Sequence, residues 1–327
     1  MTRSNRAIWL GAIGTCLVAS TAACGSSSTP SSGGGGATPH NLALIVGVKG
    51  FDYYTSIECG ARAEAQRLGV SLTVDGATQF DPSLQIPVIN AVTARHPDAI
   101  IVAPTDTKAP TAALLQAQAA GITIVQVDTQ VNDTTVGVAK VVSDNYQGGQ
   151  IAARTLAGLI NDQGSVAIIS TAPGVSTEDE RISGFTDELK GHPNIHVVST
   201  QYDGADLTKS SGAASAIIAA NPNLAGGFAT NTLSASGLAA GVAQAGRAGA
   251  TKVVGYDAGT NQLNDLQKGT EQALIAQQPI LEGQLAVDVA VAALNHQPYP
   301  KAQSTGVTVV TSANLATTSG SIYKSAC

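Results

Sequence analysis

From residue 41 onward two hydrophobic patterns alternate along the chain. Short apolar runs rich in Val and Ile are separated by Ala-rich stretches whose apolar positions repeat with helical period, the order expected of parallel βαβ units. The strand candidates are "NLALIVGV" (41–48), "SLTVDG" (71–76), "AIIVAP" (99–104), "ITIVQVD" (122–128) and "VGVAKVV" (136–142), then "VAIIST" (166–171), "IHVVSTQ" (195–201), "GGFATN" (226–231), "KVVGYD" (252–257) and "ALIAQQ" (273–278). Their near-continuous apolar character predicts burial on both faces, under helices. Helical stretches such as "TAALLQAQAAG" (111–121) and "SASGLAAGVAQAG" (234–246) stop at Gly, a common helix terminator.

Ten such runs are too many for one open sheet of usual size, and two sheets of about five strands fit the length. The break is expected near "VVSDNYQGG" (141–149), read as a strand giving way to a polar, Gly-rich turn. The late helical segment 279–300 returns to the first domain, leaving "VTVVT" (307–311) to finish in the second. The expected organisation is a first lobe of 41–143 and 279–305 and a second of 144–278 with 306–327.

The first forty residues follow neither pattern. Arg3 and Arg6 precede an apolar stretch at 7–20 and then "TAAC" ending at Cys24, the layout of a secretory signal over 1–23. Small residues before Cys24 resemble a bacterial lipoprotein signal, although Thr21 stands where Leu is usual; the plainer alternative is a cleaved leader with a free thiol. Residues 24–40, dominated by Ser and Gly, read as a flexible tether. Together these predict an extracytoplasmic protein, lipid-anchored to the outer face of the cell membrane.

Losing Arg3 and Arg6 takes the formal charge from −6 to −8, and no Lys/Arg cluster offsets it, which argues against a nucleic-acid partner. Cys16 leaves with the leader. With Cys24 lipidated, Cys59 and Cys327 remain as two thiols in an oxidising compartment, either paired or unrelated. Cys59 lies off the Ile57, Ala61, Ala65, Leu68 stripe, where a tail could reach it. No phosphate loop, nucleophile elbow or dinucleotide fingerprint is found. His192 and His196 are separated by Pro193, which spoils a helical metal pair. No catalytic centre, metal or cofactor is expected.

Polar residues do recur at strand ends. Asp128, Asn231 and Asp257 close their strands, Gln277 lies in "ALIAQQ", and Arg181 follows "VAIIST" closely. Ligands of open parallel sheets bind beyond the carboxyl ends of the strands. Side chains that make two hydrogen bonds each suit a neutral molecule with adjacent hydroxyls. Each also has a plain reading: helix caps for the Asp and Asn residues, a surface ion pair with Glu178 or Asp179 for Arg181, a solvated strand end for Gln277.

The segments "SDNYQGGQIA" (143–152), "DERISGF" (179–185), "FATN" (228–231), "KVVGYDAG" (252–259) and "ALIAQQP" (273–279), in this order and spacing, resemble the periplasmic ribose-type sugar-binding proteins, the solute receptors of ABC importers. That resemblance spans about 41–311. It implies an α/β fold of two doubly wound parallel-sheet lobes joined by a three-segment hinge, with no enzymatic activity. The implied sugar-binding set is Asp128, Arg181, Asn231, Asp257 and Gln277, with Tyr53 and Tyr54 stacking on the sugar and offering their hydroxyls. The implied partners are a small neutral sugar or polyol and a permease with its cytoplasmic ATPase, served by a monomer. Gly47, Phe51-Asp52 and Thr129 stand where ribose binders carry Ser, Asn-Pro and Arg, which points from ribose toward another pentose, hexose or small polyol. "YYTS" also resembles the first lobe of autoinducer-2 and rhamnose receptors, so a sensory lipoprotein is the second reading.

Overall fold

A computed structural model describes residues 40–327; the leader, Cys24 and all of the tether except His40 lie outside the described residues. The apolar runs form strands and the Ala-rich stretches form helices in strict alternation. First come β1 (Asn41–Val46), α1 (Asp52–Leu68), β2 (Ser71–Gly76), α2 (Pro82–Thr93), β3 (Ala99–Val102), α3 (Thr111–Ala119), β4 (Thr123–Val127) and β5 (Ala139–Ser143). Next are α4 (Asn145–Leu159), β6 (Gly164–Ser170), α5 (Ser176–Leu189), β7 (Ile195–Tyr202), α6 (Leu207–Ala220), β8 (Leu224–Ala229), α7 (Thr232–Gln244), β9 (Lys252–Tyr256), α8 (Thr260–Lys268) and β10 (Ala273–Ala276). The chain ends with α9 (Pro279–Leu294), β11 (Ala302–Thr305) and β12 (Thr308–Val310), followed by a tail.

Two six-stranded sheets result, ordered β11-β5-β4-β3-β1-β2 and β12-β10-β9-β8-β6-β7. Each is doubly wound, and the orders superimpose position for position, so β4 and β9 occupy equivalent places. Central strands such as β3 and β10 are buried throughout. The edge strands β2 and β7 are not, because each has one neighbour and incomplete helix cover. The sixth strand of each sheet, β11 or β12, is short, and β12 runs antiparallel to β10. The segment expected to be a Gly-rich turn at 143–149 is instead the end of β5 and the first turn of α4. Asp144 caps that helix by accepting from the Gln147 N–H at 3.0 Å. Its glycines serve packing: a Cβ on Gly149 would fall 2.1 Å from the Arg181 carbonyl oxygen.

The chain passes between sheets three times, after β5, after β10 and between β11 and β12. Glu282, fully buried in the first turn of α9, gathers all three passages. Its Oε1 accepts from Ser143 Oγ at 2.5 Å and Thr305 Oγ1 at 2.8 Å, and its Oε2 accepts from Tyr53 Oη at 2.7 Å. Helix α9 sits this deep because Gly283 meets α1 without a side chain; a Cβ there would lie 2.1 Å from the Ile57 carbonyl oxygen. Among the described residues no helix is long and apolar enough to cross a membrane, and no cluster of three or more His, Cys, Asp or Glu could hold a metal ion.

Two buried carboxyls generate predictions. Glu282→Gln replaces an acceptor with a donor among three hydroxyl donors and should cost about 1–3 kcal/mol, read as a lower urea midpoint; an unchanged midpoint would show that the knot contributes nothing. Glu271 is fully buried and, among the described residues, neither carboxyl oxygen has a hydrogen-bond partner. Burial, then the charge of Asp265, hold its pKa well above the ordinary value. A raised folded pKa contributes stability below the unfolded value that is lost as pH rises. The melting temperature of the ligand-free protein should therefore fall between pH 5 and pH 8, and Glu271→Gln should shrink that fall.

Candidate functional site

The carboxyl ends of both sheets face a cavity of about 520 Å³, within the size range of small-molecule sites. Its walls include Tyr53, Tyr54, Asp128, Arg181, Asn231, Asp257 and Gln277, so the structure brings all seven residues singled out in the sequence to one space. The lobes touch on either side of it. Thr107 N–H donates to the Gly174 carbonyl at 3.2 Å, Gln130 N–H to Ser176 Oγ at 3.1 Å, and Thr260 N–H to Asp52 Oδ2 at 2.8 Å. The cleft is closed.

Asp128 and Asp257 follow β4 and β9, equivalent positions of the two lobes. Both adopt left-handed backbone, with φ of 63° and 80°, a conformation rare outside Gly and more tolerable for Asp. This turns each carboxylate into the cavity instead of along the next helix. Asp257 Oδ2 accepts from Thr232 N–H at 3.1 Å and Thr232 Oγ1 at 3.0 Å, while Oδ1 accepts from Gln277 Nε2 at 2.7 Å and Tyr323 Oη at 3.1 Å. Gln277 is buried, not a solvated strand end.

Asp128 is held by the tyrosines. Tyr54 Oη donates to its Oδ2 at 2.9 Å, and Tyr53 Oη lies 3.1 Å from its Oδ1. The single Tyr53 proton has a closer acceptor in Glu282, with Gln277 Oε1 a distant third at 3.4 Å. Both tyrosine hydroxyl protons are thus spent within the protein, which leaves each Oη as an acceptor, beside its ring, toward a ligand. Burial, then the charge of Glu282, raise the Asp128 pKa to about 7, against the pull of Arg181 and the tyrosine hydrogen bonds. Phe51, half-buried, joins the wall beside them.

Arg181 makes no surface ion pair. It is 3% exposed, its guanidinium lies 3.8 Å over the Tyr256 ring, Nε donates to Asn145 Oδ1 at 2.9 Å, and Nη1 donates to the Thr230 carbonyl at 2.7 Å. Nη2 has no protein partner among the described residues and is free to donate to a ligand. Burial works against the charge, but Tyr256, Asp257, Asp128 and Glu178 outweigh it, so the guanidinium stays firmly protonated. Asn231 serves as cap and wall together. Its Oδ1 accepts from Leu233 and Ser234 N–H at 2.9 and 3.0 Å, and its Nδ2 faces Glu178 Oε1 at 3.1 Å.

Glu178 was missed as a site residue in the sequence, where it reads as a solvent-facing acid of a helix first turn. It is buried, and its Oε2 takes hydrogen bonds from Ser170 Oγ at 2.5 Å, Thr171 N–H at 2.8 Å and Thr230 Oγ1 at 2.6 Å. Three buried carboxyl groups, those of Asp128, Glu178 and Asp257, one buried Arg and several amides thus line the cavity. An anion would face the carboxylates and a cation would face Arg181, whereas a neutral polyhydroxyl molecule satisfies acceptors and donors alike. Cys59 and Cys327 are joined through their sulfurs, with Cα atoms 5.3 Å apart.

Known proteins share this architecture. The chain is 28% identical over 249 residues to the ribose import binding protein RbsB of Bacillus subtilis, covering 76% of this chain and 80% of that protein. It is 30% identical over 226 residues to the D-ribose/D-allose-binding protein of Pseudomonas aeruginosa, covering 66% and 70%. An ABC transporter solute-binding protein from Agrobacterium vitis, solved with α-D-tagatopyranose, matches with a TM-score of 0.86 at 38% identity over 87% of this chain and 99% of its own. A family model described as a periplasmic binding protein domain matches residues 42–298. With two doubly wound lobes closed over a cleft lined from their strand ends, and that match along most of its length, the chain belongs to the periplasmic binding protein family.

Proposed function

We propose that the protein captures a small neutral sugar or polyol in the cleft between its lobes and delivers it to an ABC import permease. The observation that carries this reading is the pairing of Asp128 and Asp257, turned into one cavity from equivalent strand ends of opposite lobes, with the free Nη2 of buried Arg181 beside them. A ligand bound by all three contacts both lobes at once and so favours the closed state over the open one. Relatives such as the Bacillus subtilis ribose import binding protein are named for import, which favours delivery to a permease over sensing. The work is binding without chemistry. A lipid on Cys24 and the 24–40 tether would hold a monomer at the outer face of the membrane.

A thermal-shift screen against pentoses, hexoses and polyols should raise the melting temperature with at least one of them, since ligand bound only by the native state stabilises it by mass action. A shift with amino acids or nucleosides alone would sink the sugar reading. Arg181→Lys keeps the charge but loses the planar fork and should weaken binding by about tenfold or more; unchanged affinity would remove Arg181 from the site.

The Asp128 carboxyl, with its pKa of about 7, should make binding pH-dependent. Sugar hydroxyls donate to the carboxylate and so favour its ionised form. Below pH 7 binding must release a proton, so affinity should rise from pH 6 to pH 8 and then level. Ligand-free stability should move the other way, because this group's contribution is present below its ordinary value of 3.8 and is lost as pH rises through about 7. Calorimetric titration in two buffers of different ionisation heat measures the released proton, and Asp128→Asn should abolish the release. Proton-neutral binding at pH 6 would overturn this account of Asp128.

A further inference from the structure

The tail after β12 is largely exposed, and Tyr323 is the one fully buried residue of 311–327. It is not part of the cavity wall, yet it touches two residues that are. Its hydroxyl donates to Asp257 Oδ1 at 3.1 Å and accepts from the Gln277 N–H at 2.9 Å, while its own N–H donates to the Ala258 carbonyl at 3.0 Å. Its ring lies 5.5 Å from that of Tyr53, between centroids. One tail residue is therefore bonded to the end of β9, to the end of β10 and packed against the first lobe.

The segment beyond Tyr323 is tied to that first lobe. Lys324 N–H donates to Ser56 Oγ at 2.6 Å, and Cys327 joins Cys59, both partners lying on α1. The tail leaves the second sheet at β12 and ends on the first lobe, which makes it a fourth connection beside the three chain passages. Three residues separate the bonded Cys327 from Tyr323, so the disulfide keeps the ring at high effective concentration beside its pocket.

We propose that Tyr323 is a positioning residue for Asp257 and Gln277, delivered by a C-terminal strap that the Cys59–Cys327 disulfide fastens to the first lobe. Its effect on ligand affinity rests on reading the cleft as a sugar site; its effect on Asp257 does not. The hydroxyl supplies one of the two donors that fix Asp257 Oδ1 and satisfies a backbone N–H at the neighbouring strand end. Without it Oδ1 keeps only the Gln277 donor, whose own backbone N–H has then lost its acceptor, and the carboxylate is held less tightly in the geometry of the closed cleft.

The test compares wild type with Tyr323→Phe, which keeps the ring, and Cys327→Ser, which releases the strap at an exposed terminus. In the ligand-free proteins, amide hydrogen exchange is read at Gln277, bonded to Tyr323, and at Thr232, whose N–H is held by Asp257. Both should exchange about tenfold faster or more in each variant, with core amides of β6 unchanged. With a sugar that binds wild type, Kd should rise about tenfold, and Tyr323→Phe should add little once Asp257→Asn is present, as expected of a residue acting through Asp257. Exchange at Gln277 and Thr232 equal to wild type in both variants overturns the proposal, and so does additivity with Asp257→Asn. Should no polyhydroxyl compound bind wild type, the sugar reading falls, and the exchange rates alone decide for or against the strap.

Discussion

One carboxyl group holds the molecule's moving parts in register. Glu282 takes hydrogen bonds from Ser143 and Thr305, which flank two of the chain passages, while itself standing just inside the third. Its other oxygen holds Tyr53, which lines the cleft and lies against Asp128. A buried carboxyl of this kind is costly unless its lone pairs are filled, and here hydroxyls from three separate segments fill them. The consequence is that hinge and ligand site share a residue: the geometry of the passages and the placement of Tyr53 cannot vary independently. Glu282 also acts on the site through space, since its charge is the second cause of the raised Asp128 pKa.

Much of the fold was legible because α/β architecture writes itself locally. Buried parallel strands must be apolar on both faces, so β1, β3, β4, β6 and β10 stand out as Val/Ile runs, and the polar residues that end them mark the cleft. What lay hidden depended on partners distant in sequence. The Ala302–Thr305 segment carries no apolar run and is a strand only because β5 offers an open edge. Glu178 and Glu282 look like ordinary acids in the first turns of helices, and nothing nearby reveals that Ser170, Thr230, Ser143 and Thr305 will surround them. Tyr323 sits in a tail without hydrophobic period. Tyr53 and Tyr54 are marked by the family resemblance alone, and their hydroxyls answer to Asp128 and Glu282, which lie 74 or more residues away.

The two lobes present the same element at the same place and then treat it differently. Asp128 and Asp257 share topology and left-handed backbone. Burial and the like charge of Glu282 drive Asp128 toward neutrality, against the hydrogen bonds of the two tyrosine hydroxyls. Asp257 is surrounded by donors from Thr232, Gln277 and Tyr323, which fix the position of both its oxygens. Arg181 contributes to both environments from the second lobe. The closed cleft therefore holds one acid near its titration point and one acid steadied by fixed donors.

That asymmetry bears on closure. An ion pair between Arg181 and either Asp would lock the site around its own charges and leave little for a ligand to add. Among the described residues no such pair within 4.0 Å is found, and Arg181 instead spends two donors on Asn145 and Thr230 and its face on Tyr256. The charge is fixed by neutral partners on its own lobe while one nitrogen stays available. Ligand hydroxyls can then link the Arg of one lobe to the Asp of the other without first breaking a salt bridge. A ligand spanning the two lobes would add to the direct contacts of Thr107, Gln130 and Thr260 that already join them, which is how a binding site is coupled to a hinge.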